Sequence, residues 1–337
     1  MQEAMFYRKG KDNEVHCFLC NHHCHIKPER PGICGVRQNR EGILWSLVYG
    51  RIIAEHIDPI EKKPLYHFLP GSRSYSIATV GCNFRCRFCQ NADISQRPRD
   101  SGEIFGSAVP PERIVAAAKK TECSSISYTY TEPTIFMEYA LDVARLARSA
   151  GIRNVFVSNG YMTEEALEAI SPYLDAANVD LKAFTEEFYV KQCGARLEPV
   201  LNTLKKMKQL GIWLEVTTLV IPGLNDSPRE LTELANFLVS LGPDTPWHIS
   251  RFHPTYRMND HPITPVKTLQ VARNIGLKAG LRYVYLGNVP GDEGENTFCP
   301  QCGTLLMERF GFATKPRGSR NGACSQCGMA IAGVGMP

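Results

Sequence analysis

No run of apolar residues in this 337-residue chain approaches the ~20 needed to cross a bilayer. That excludes a helical membrane span. The first residues, Met1 to Asn13, lack the apolar core of a secretory signal, so a cytoplasmic location is expected. A surplus of one charge is missing as well. Lys and Arg number 38 against 34 Asp and Glu, a net +4, and the basic residues are spread along the chain. That balance gives no electrostatic case for nucleic acid or a membrane surface. What remains is an ordinary globular composition, 43% hydrophobic and 21% charged. The length fits one large domain with small appendages.

Cysteine is what the chain has in excess. Thirteen cysteines are many for a reducing cytosol, where clustered thiols serve metals or catalysis rather than disulfides. They form three groups, with Cys123 and Cys193 standing alone. The first group is Cys17, Cys20, Cys24 and Cys34, four thiols within eighteen residues, with Pro31 and Gly32 in the loop. This reads as a knuckle around a metal, either zinc or an accessory iron–sulfur cluster. His16, His22, His23 and His25 crowd the same loop, and one of them could replace a cysteine as ligand. The last group is Cys299, Cys302, Cys324 and Cys327, two C-x2-C knuckles separated by 21 residues. That spacing predicts a zinc ribbon, with rubredoxin-like iron as the alternative, and a module too small to fold without its metal.

The middle group lacks a fourth member. Gly81-Cys82-Asn83-Phe84-Arg85-Cys86-Arg87-Phe88-Cys89-Gln90-Asn91 carries C-x3-C-x2-C just after an apolar run. Three thiolates are one short of a closed tetrahedral site. A cubane held by three cysteines keeps one iron open for a ligand. A zinc ion completed by a distant His or Cys would also satisfy the count. Phe88 would lay an aromatic face beside the metal.

From Ser74 to Leu286, β-branched runs alternate with helical stretches. The pattern predicts strands at Tyr75–Val80, Ser125–Tyr130, Asn154–Ser158, Ala177–Asp180, Trp213–Ile221, Trp247–Arg251 and Tyr283–Leu286. Helices are predicted at Pro111–Lys120, Phe136–Ser149, Leu197–Leu210 and Val266–Ala279, and another after Ser227-Pro228-Arg229-Glu230, which offers a capping box. Alternation of this kind means parallel strands with crossover helices. The expected fold is α/β, an incompletely closed parallel β/α barrel with small Cys-rich modules at both ends; a doubly wound sheet is the alternative. Residues 1–70 form the N-terminal segment, 71–290 the barrel and 291–337 the C-terminal module.

In both architectures ligands collect at the C-terminal ends of the strands. The residues there carry chemistry. The second strand leads to Thr131 and Glu132, the third to Ser158 and Asn159, short hydrogen-bonding groups suited to a ribose or a carboxylate. The fourth gives Asp180 and Lys182, which period two puts on one face. Glu215 and Thr217 share a face of the fifth strand, and Arg251 and His253 follow the sixth.

The cysteine spacing with Phe88, following a strand, resembles the signature of the radical S-adenosylmethionine (radical SAM) superfamily. The resemblance implies that S-adenosylmethionine binds the open iron of a 4Fe–4S cluster through its amino and carboxylate groups. It implies that Thr131 and Glu132 stand at the methionyl amine, although Tyr130 and Thr131 occupy positions where glycines are usual. Asp180 and Lys182 would lie by the methionyl carboxylate, His253 near the ribose, and Val220 and Ile221 against adenine. The longer words Asp58–Phe68, Gly81–Asn91 and Tyr128–Thr134, with Cys34-Gly35-Val36-Arg37 and the C-terminal double knuckle, are similar to the AmmeMemoRadiSam system radical SAM enzymes over nearly the full chain. Wider kin are the activating enzymes of pyruvate formate-lyase and other glycyl radical enzymes. The resemblance implies AMMECR-type and Memo-type partners and a low-potential electron donor. The expected activity is reductive cleavage of S-adenosylmethionine to methionine and a 5′-deoxyadenosyl radical that takes hydrogen from a substrate the sequence does not name. The alternatives are an activase acting on a partner protein and a non-catalytic metal-binding assembly protein.

Overall fold

The computed structural model describes every residue from Met1 to Pro337. Its centre is one eight-stranded sheet: β1 (Ala54–Pro59), β2 (Arg73–Ala78), β3 (Ser125–Tyr128), β4 (Arg153–Ser158), β5 (Ala176–Asp180), β6 (Trp213–Val220), β7 (Trp247–Arg251) and β8 (Val284–Gly287). β2 to β8 are parallel, and each pairs with the strand that follows it in sequence; β1 lies antiparallel on β2. The order never reverses, which excludes a doubly wound sheet, whose order must reverse at a switch point. β8 and β1 end the ladder without pairing to each other, so the barrel is partial.

The sheet starts earlier than the expected boundary at residue 71. β1 lies inside the segment assigned to the N-terminal module. Its run Glu55-His56-Ile57-Asp58 lacks apolar alternation, and its one large apolar residue, Ile57, is exposed, so the sequence carries no strand signal there. Two strands also stop two residues short of their expected ends. β2 ends at Ala78 because the chain turns at Gly81, with φ +102°, and β3 ends at Tyr128 because Tyr130 has φ +65°.

The crossover helices are α1 (Pro111–Lys120), α2 (Met137–Ser149), α3 (Glu164–Ile170), α4 (Leu197–Gln209), α5 (Pro228–Leu241) and α6 (Val266–Ala279). α2 shows why they pack. It buries Met137, Ala140, Leu141, Ala144 and Ala147 at helical spacing, and a fully buried Leu or Met contributes about 1.5–3 kcal/mol. α5 begins as expected at Ser227, whose Oγ accepts the Glu230 N–H at 3.3 Å. The reciprocal half of the capping box is absent. The Glu230 carboxylate instead accepts the Phe184 N–H at 2.7 Å and ties α5 to the loop after β5. No helix is long and apolar enough to cross a membrane.

Strand periodicity sorts the two faces. Tyr128 donates to Asn154 Oδ1, and the Asn154 amide reaches Ala144 O on α2, so these side chains face the helices. Their neighbours Ser74, Ser76, Ser125 and Ser127 therefore face the lumen. The lumen is closed at the N-terminal strand ends by the loop from Ile60 to Phe68. Glu215, fully buried on β6, holds that loop by accepting the Tyr66 and His67 backbone N–H groups at 3.0 and 2.7 Å, together with Trp213 Nε1 at 3.1 Å. His248 Nε2 lies 2.6 Å from Oε2, the oxygen that also accepts from Tyr66.

The C-terminal module docks against the same end. His67 Nδ1 is 2.6 Å from Ala332 O and must donate to it; Nε2 is then the acceptor for the Tyr285 hydroxyl, also at 2.6 Å. Arg309 lies over the Tyr66 ring and donates to Thr297 Oγ1, which bonds Tyr285. Burial pushes the His67 imidazole down to about 4, against the pull of Glu215. The ring is therefore neutral in the fold but takes a proton near pH 6.5 when the chain unfolds. Stability from this group is complete above pH 6.5, falls as pH drops through the window from 6.5 to 4, and the loss amounts to about 3 kcal/mol. Thermal unfolding of His67→Asn across this window should lose part of the acid sensitivity of the wild type.

Candidate active site

The three middle cysteines follow β2 at the C-terminal mouth of the barrel, the end opposite the C-terminal module. Gly81 starts the turn. Its backbone passes so close to the N-terminal segment that a Cβ would come within 2.7 Å of Val36 Cγ1 and 3.3 Å of Cys34 O. Strain at φ +102° and this clash both oppose any side chain. Gly81→Ala should unfold at a visibly lower temperature and retain less iron; a variant with unchanged melting and metal content would contradict the close approach.

The loop is then held from two sides. Arg85 and Arg87 donate their backbone N–H groups to Cys193 O and Gln192 O at 2.9 and 3.0 Å, so the turn of π-helix Tyr189–Cys193 after β5 runs beside it. Gly194, at φ +68°, passes beneath Arg85 with no room for a Cβ. Arg99 clamps the other side: Nη2 donates to Cys82 O at 3.2 Å and to Ile33 O at 3.0 Å, while Nη1 donates to Phe84 O. Neither Cys193 nor Arg99 stands out in the sequence. Arg99 is one of many arginines, and its partners are backbone carbonyls far along the chain.

The sulfurs face donors. Phe84 N–H points at Cys82 Sγ at 3.3 Å, Ser95 Oγ lies 3.1 Å from Cys89 Sγ, and Asn159 Nδ2 lies 3.8 Å from Cys82 Sγ. Asn83 Nδ2 is buried without a partner. Phe88 is buried against Phe188, ring centres 5.8 Å apart. All thirteen cysteines are free thiols. No third His, Cys, Asp or Glu ligand atom gathers tightly around any two of these sulfurs, as would be needed for one ion completed by a distant residue. Three separated thiols, ringed by N–H and O–H donors, fit the corners of a larger inorganic cluster.

The strand ends surround this loop. Glu132, buried after β3, accepts from Thr134 N (3.0 Å), Thr134 Oγ1 (2.6 Å), Ser158 Oγ (2.8 Å) and Asn159 N (2.8 Å). Burial pushes its carboxyl up, and these donors oppose the shift. Glu132 therefore knits β3 to β4 and places Asn159, which passes the order on to Asn83 Oδ1 at 2.7 Å. Thr131 Oγ1 donates to Thr79 O at 2.8 Å. Asp180 and Lys182 pair with each other, Nζ to Oδ2 2.6 Å, with Lys182 Nζ 6.0 Å from the centre of the Phe88 ring. Burial opposes the Lys182 charge, but Asp180 and the nearby Cys86 hold its pKa well above the usual value. His253 stands apart: it follows β7 on the surface, exposed and without a hydrogen bond to another residue. Deeper in the lumen, Asp58 accepts from Lys62 (2.9 Å), Lys63 (2.6 Å) and the Tyr130 hydroxyl. Burial pushes buried Lys63 down to about 8, against Asp58.

The other cysteine groups differ from the middle one. Cys17, Cys20, Cys24 and Cys34 line one small pocket with His22, Arg37 and Ile135. Of the crowded histidines, His22 is engaged, its Nε2 bonding Asn83 O at 2.8 Å; His16 stacks on His25 at 4.5 Å with its own Nε2 buried and unpartnered. At the C-terminus, the sulfurs of Cys299, Cys302, Cys324 and Cys327 all lie within 4.8 Å of one another, so they could hold one metal ion.

Comparison with known proteins decides the family. Residues 76–238 match the Radical SAM superfamily, a span that runs from β2 through most of α5 and contains the three cysteines. The chain belongs to the radical SAM superfamily. It is 50% identical to an uncharacterized protein of Methanocaldococcus jannaschii over 94% of this chain and 93% of that one. It is 24% identical to a putative glycyl-radical enzyme activating enzyme of the same organism, over 54% of this chain and 68% of that one. A radical SAM methyltransferase from Sphaerobacter thermophilus shares the fold, with a TM-score of 0.53 at 16% identity over 71% of each chain. The radical SAM chain is thus an enzyme with activase-like relatives, and its family implies a 4Fe–4S cluster and S-adenosylmethionine.

Proposed function

We propose that the chain cleaves S-adenosylmethionine reductively and uses the resulting radical to take a hydrogen atom from a substrate held at the C-terminal mouth. The observation that carries this reading is the three-thiol loop. No compact four-ligand set gathers at it, it is ringed by donors, and the polar strand ends of β3, β4 and β5 face it. Cys82, Cys86 and Cys89 would hold the cluster. When bound, that cluster supplies one electron to the sulfonium, giving methionine and a 5′-deoxyadenosyl radical. The protein's own part is positioning. Asp180 and Lys182 form a charged pair suited to the methionyl carboxylate, and Thr131 and Glu132 after β3 are the residues the resemblance sets at the amine. Glu132 keeps Ser158 and Asn159 in place for the ribose. Phe88 and Phe188 exclude water from the cluster loop. His253, exposed as it is, would reach a nucleoside only at the outer rim.

The C-terminal quartet fits zinc. Its Cys299–Cys327 and Cys302–Cys324 sulfur separations are both 3.6 Å, close to the edge of a tetrahedron with Zn–S bonds of about 2.3 Å. It docks at the opposite end of the barrel and serves the scaffold.

Over nearly its whole length the chain also carries the sequence words of AmmeMemoRadiSam enzymes, which favours AMMECR-type and Memo-type proteins as partners. A second reading is an activase, favoured by the likeness to the glycyl-radical activating relatives. One experiment separates the two. Anaerobic reduced enzyme is incubated with S-adenosylmethionine, with and without each partner protein. Faster deoxyadenosine release with no radical on the partner supports a substrate enzyme. A glycyl radical signal on the partner supports the activase. No response to either partner removes the proposed association.

A further inference from the structure

The N-terminal cysteine pocket differs from the C-terminal quartet in a way that bears on its metal. Four thiols surround each site. At the C-terminus the four sulfurs are mutually close, at the separation one tetrahedral ion requires. At the N-terminus no three of the sulfurs of Cys17, Cys20, Cys24 and Cys34 come within 4.8 Å of one another, yet all four line one pocket. The four thiols are therefore not gathered at the spacing that one tetrahedral ion takes. An iron–sulfur core suits them, because it spreads its thiolates over different iron atoms.

A second observation points the same way. Arg37 lines this pocket and is 2% exposed. Its Nη1 is committed to Glu138, at 2.8 and 3.1 Å, and its Nη2 to Met5 O. Its Nε–H is buried and has no partner. An orphaned cationic donor among four thiols calls for an anionic acceptor. The sulfides and thiolates of a cluster supply one.

We infer that Cys17, Cys20, Cys24 and Cys34 ligate a second iron–sulfur cluster, set directly beside the radical SAM loop. Three contacts join the two sites. His22, between Cys20 and Cys24, bonds Asn83 O, next to Cys82. Arg99 bridges Ile33 O, next to Cys34, and Cys82 O. Gly81 packs on Cys34 O and Val36. The neighbouring loops are thus fixed to each other, and with all four thiolates bound, this cluster has no open iron for S-adenosylmethionine.

The test uses the full chain with Cys82, Cys86 and Cys89 all changed to alanine, purified anaerobically. This variant has lost the S-adenosylmethionine site, so the result is independent of the proposed reaction. It should keep about two to four iron atoms with matching inorganic sulfide and a visible absorbance that dithionite bleaches. Adding Cys20→Ala and Cys34→Ala should reduce iron and sulfide at least tenfold, with the C-terminal metal and the gel-filtration volume unchanged. Should that variant fold poorly, thiol mapping of the first one decides. Cys17, Cys20, Cys24 and Cys34 should resist alkylation until the iron is chelated. A triple variant with no iron or sulfide and two zinc ions overturns the inference, as does iron that survives loss of Cys20 and Cys34.

Discussion

Cys86→Ala is expected to lower deoxyadenosine formation at least about a hundredfold, which is roughly 2.7 kcal/mol or more of barrier. Cys86 is buried at the centre of the loop, and two thiolates cannot retain a cubane that needs three protein corners. The structure adds a control that spacing alone would not provide. Cys193 lies next to Cys86, close enough to be the leading cause of its raised thiol pKa, followed by burial. Cys193→Ala alone should leave iron content and cleavage unchanged. If Cys86→Ala keeps residual activity, adding Cys193→Ala should abolish it. Full activity in the double variant would remove Cys86 from the cluster.

Glu215→Ala should be the most damaging substitution far from the active site. The carboxylate is fully buried and accepts from Tyr66 N, His67 N and Trp213 Nε1, with His248 alongside. Despite burial, the His248 contact and the other donors hold its pKa below the usual carboxylate value. Removing it strands three donors in a closed space and leaves a cavity at the foot of the barrel. The expected cost is about 3–5 kcal/mol, a fall in the thermal midpoint of roughly 4–7 °C for a chain of this length. Glu215→Gln keeps one acceptor and should lose about half as much. A shift within about 2 °C for the alanine variant would show that the loop from Ile60 to Phe68 is held by other contacts.

These two residues mark how far the chain is legible before folding. Cys82, Cys86 and Cys89 stand out by their spacing alone, which sets all three on one tight loop. The seven parallel strands are legible through their apolar runs, and their sequential order follows from alternation with helices. Glu215 is different. Period two places it on a face with Thr217, but the Tyr66 and His67 backbone groups it holds lie 149 and 148 positions earlier, and no local pattern connects them. β1 was invisible because an edge strand needs no apolar alternation. Glu132 was legible as a strand-end acid, whereas its bonds to Thr134, Ser158 and Asn159 are purely three-dimensional. Arg99 and the Arg37 Nε–H acquire meaning only once the N-terminal loop is laid beside the radical SAM loop.

The account rests on reductive cleavage at the mouth of the barrel, and one measurement reaches it most directly. Wild-type protein, reconstituted anaerobically with iron and sulfide, is reduced with dithionite and given S-adenosylmethionine. The products are followed by liquid chromatography and mass spectrometry. The account predicts 5′-deoxyadenosine and methionine in equal amounts, formed only when both reductant and cluster are present. Intact S-adenosylmethionine after incubation with fully loaded, reduced protein would contradict it.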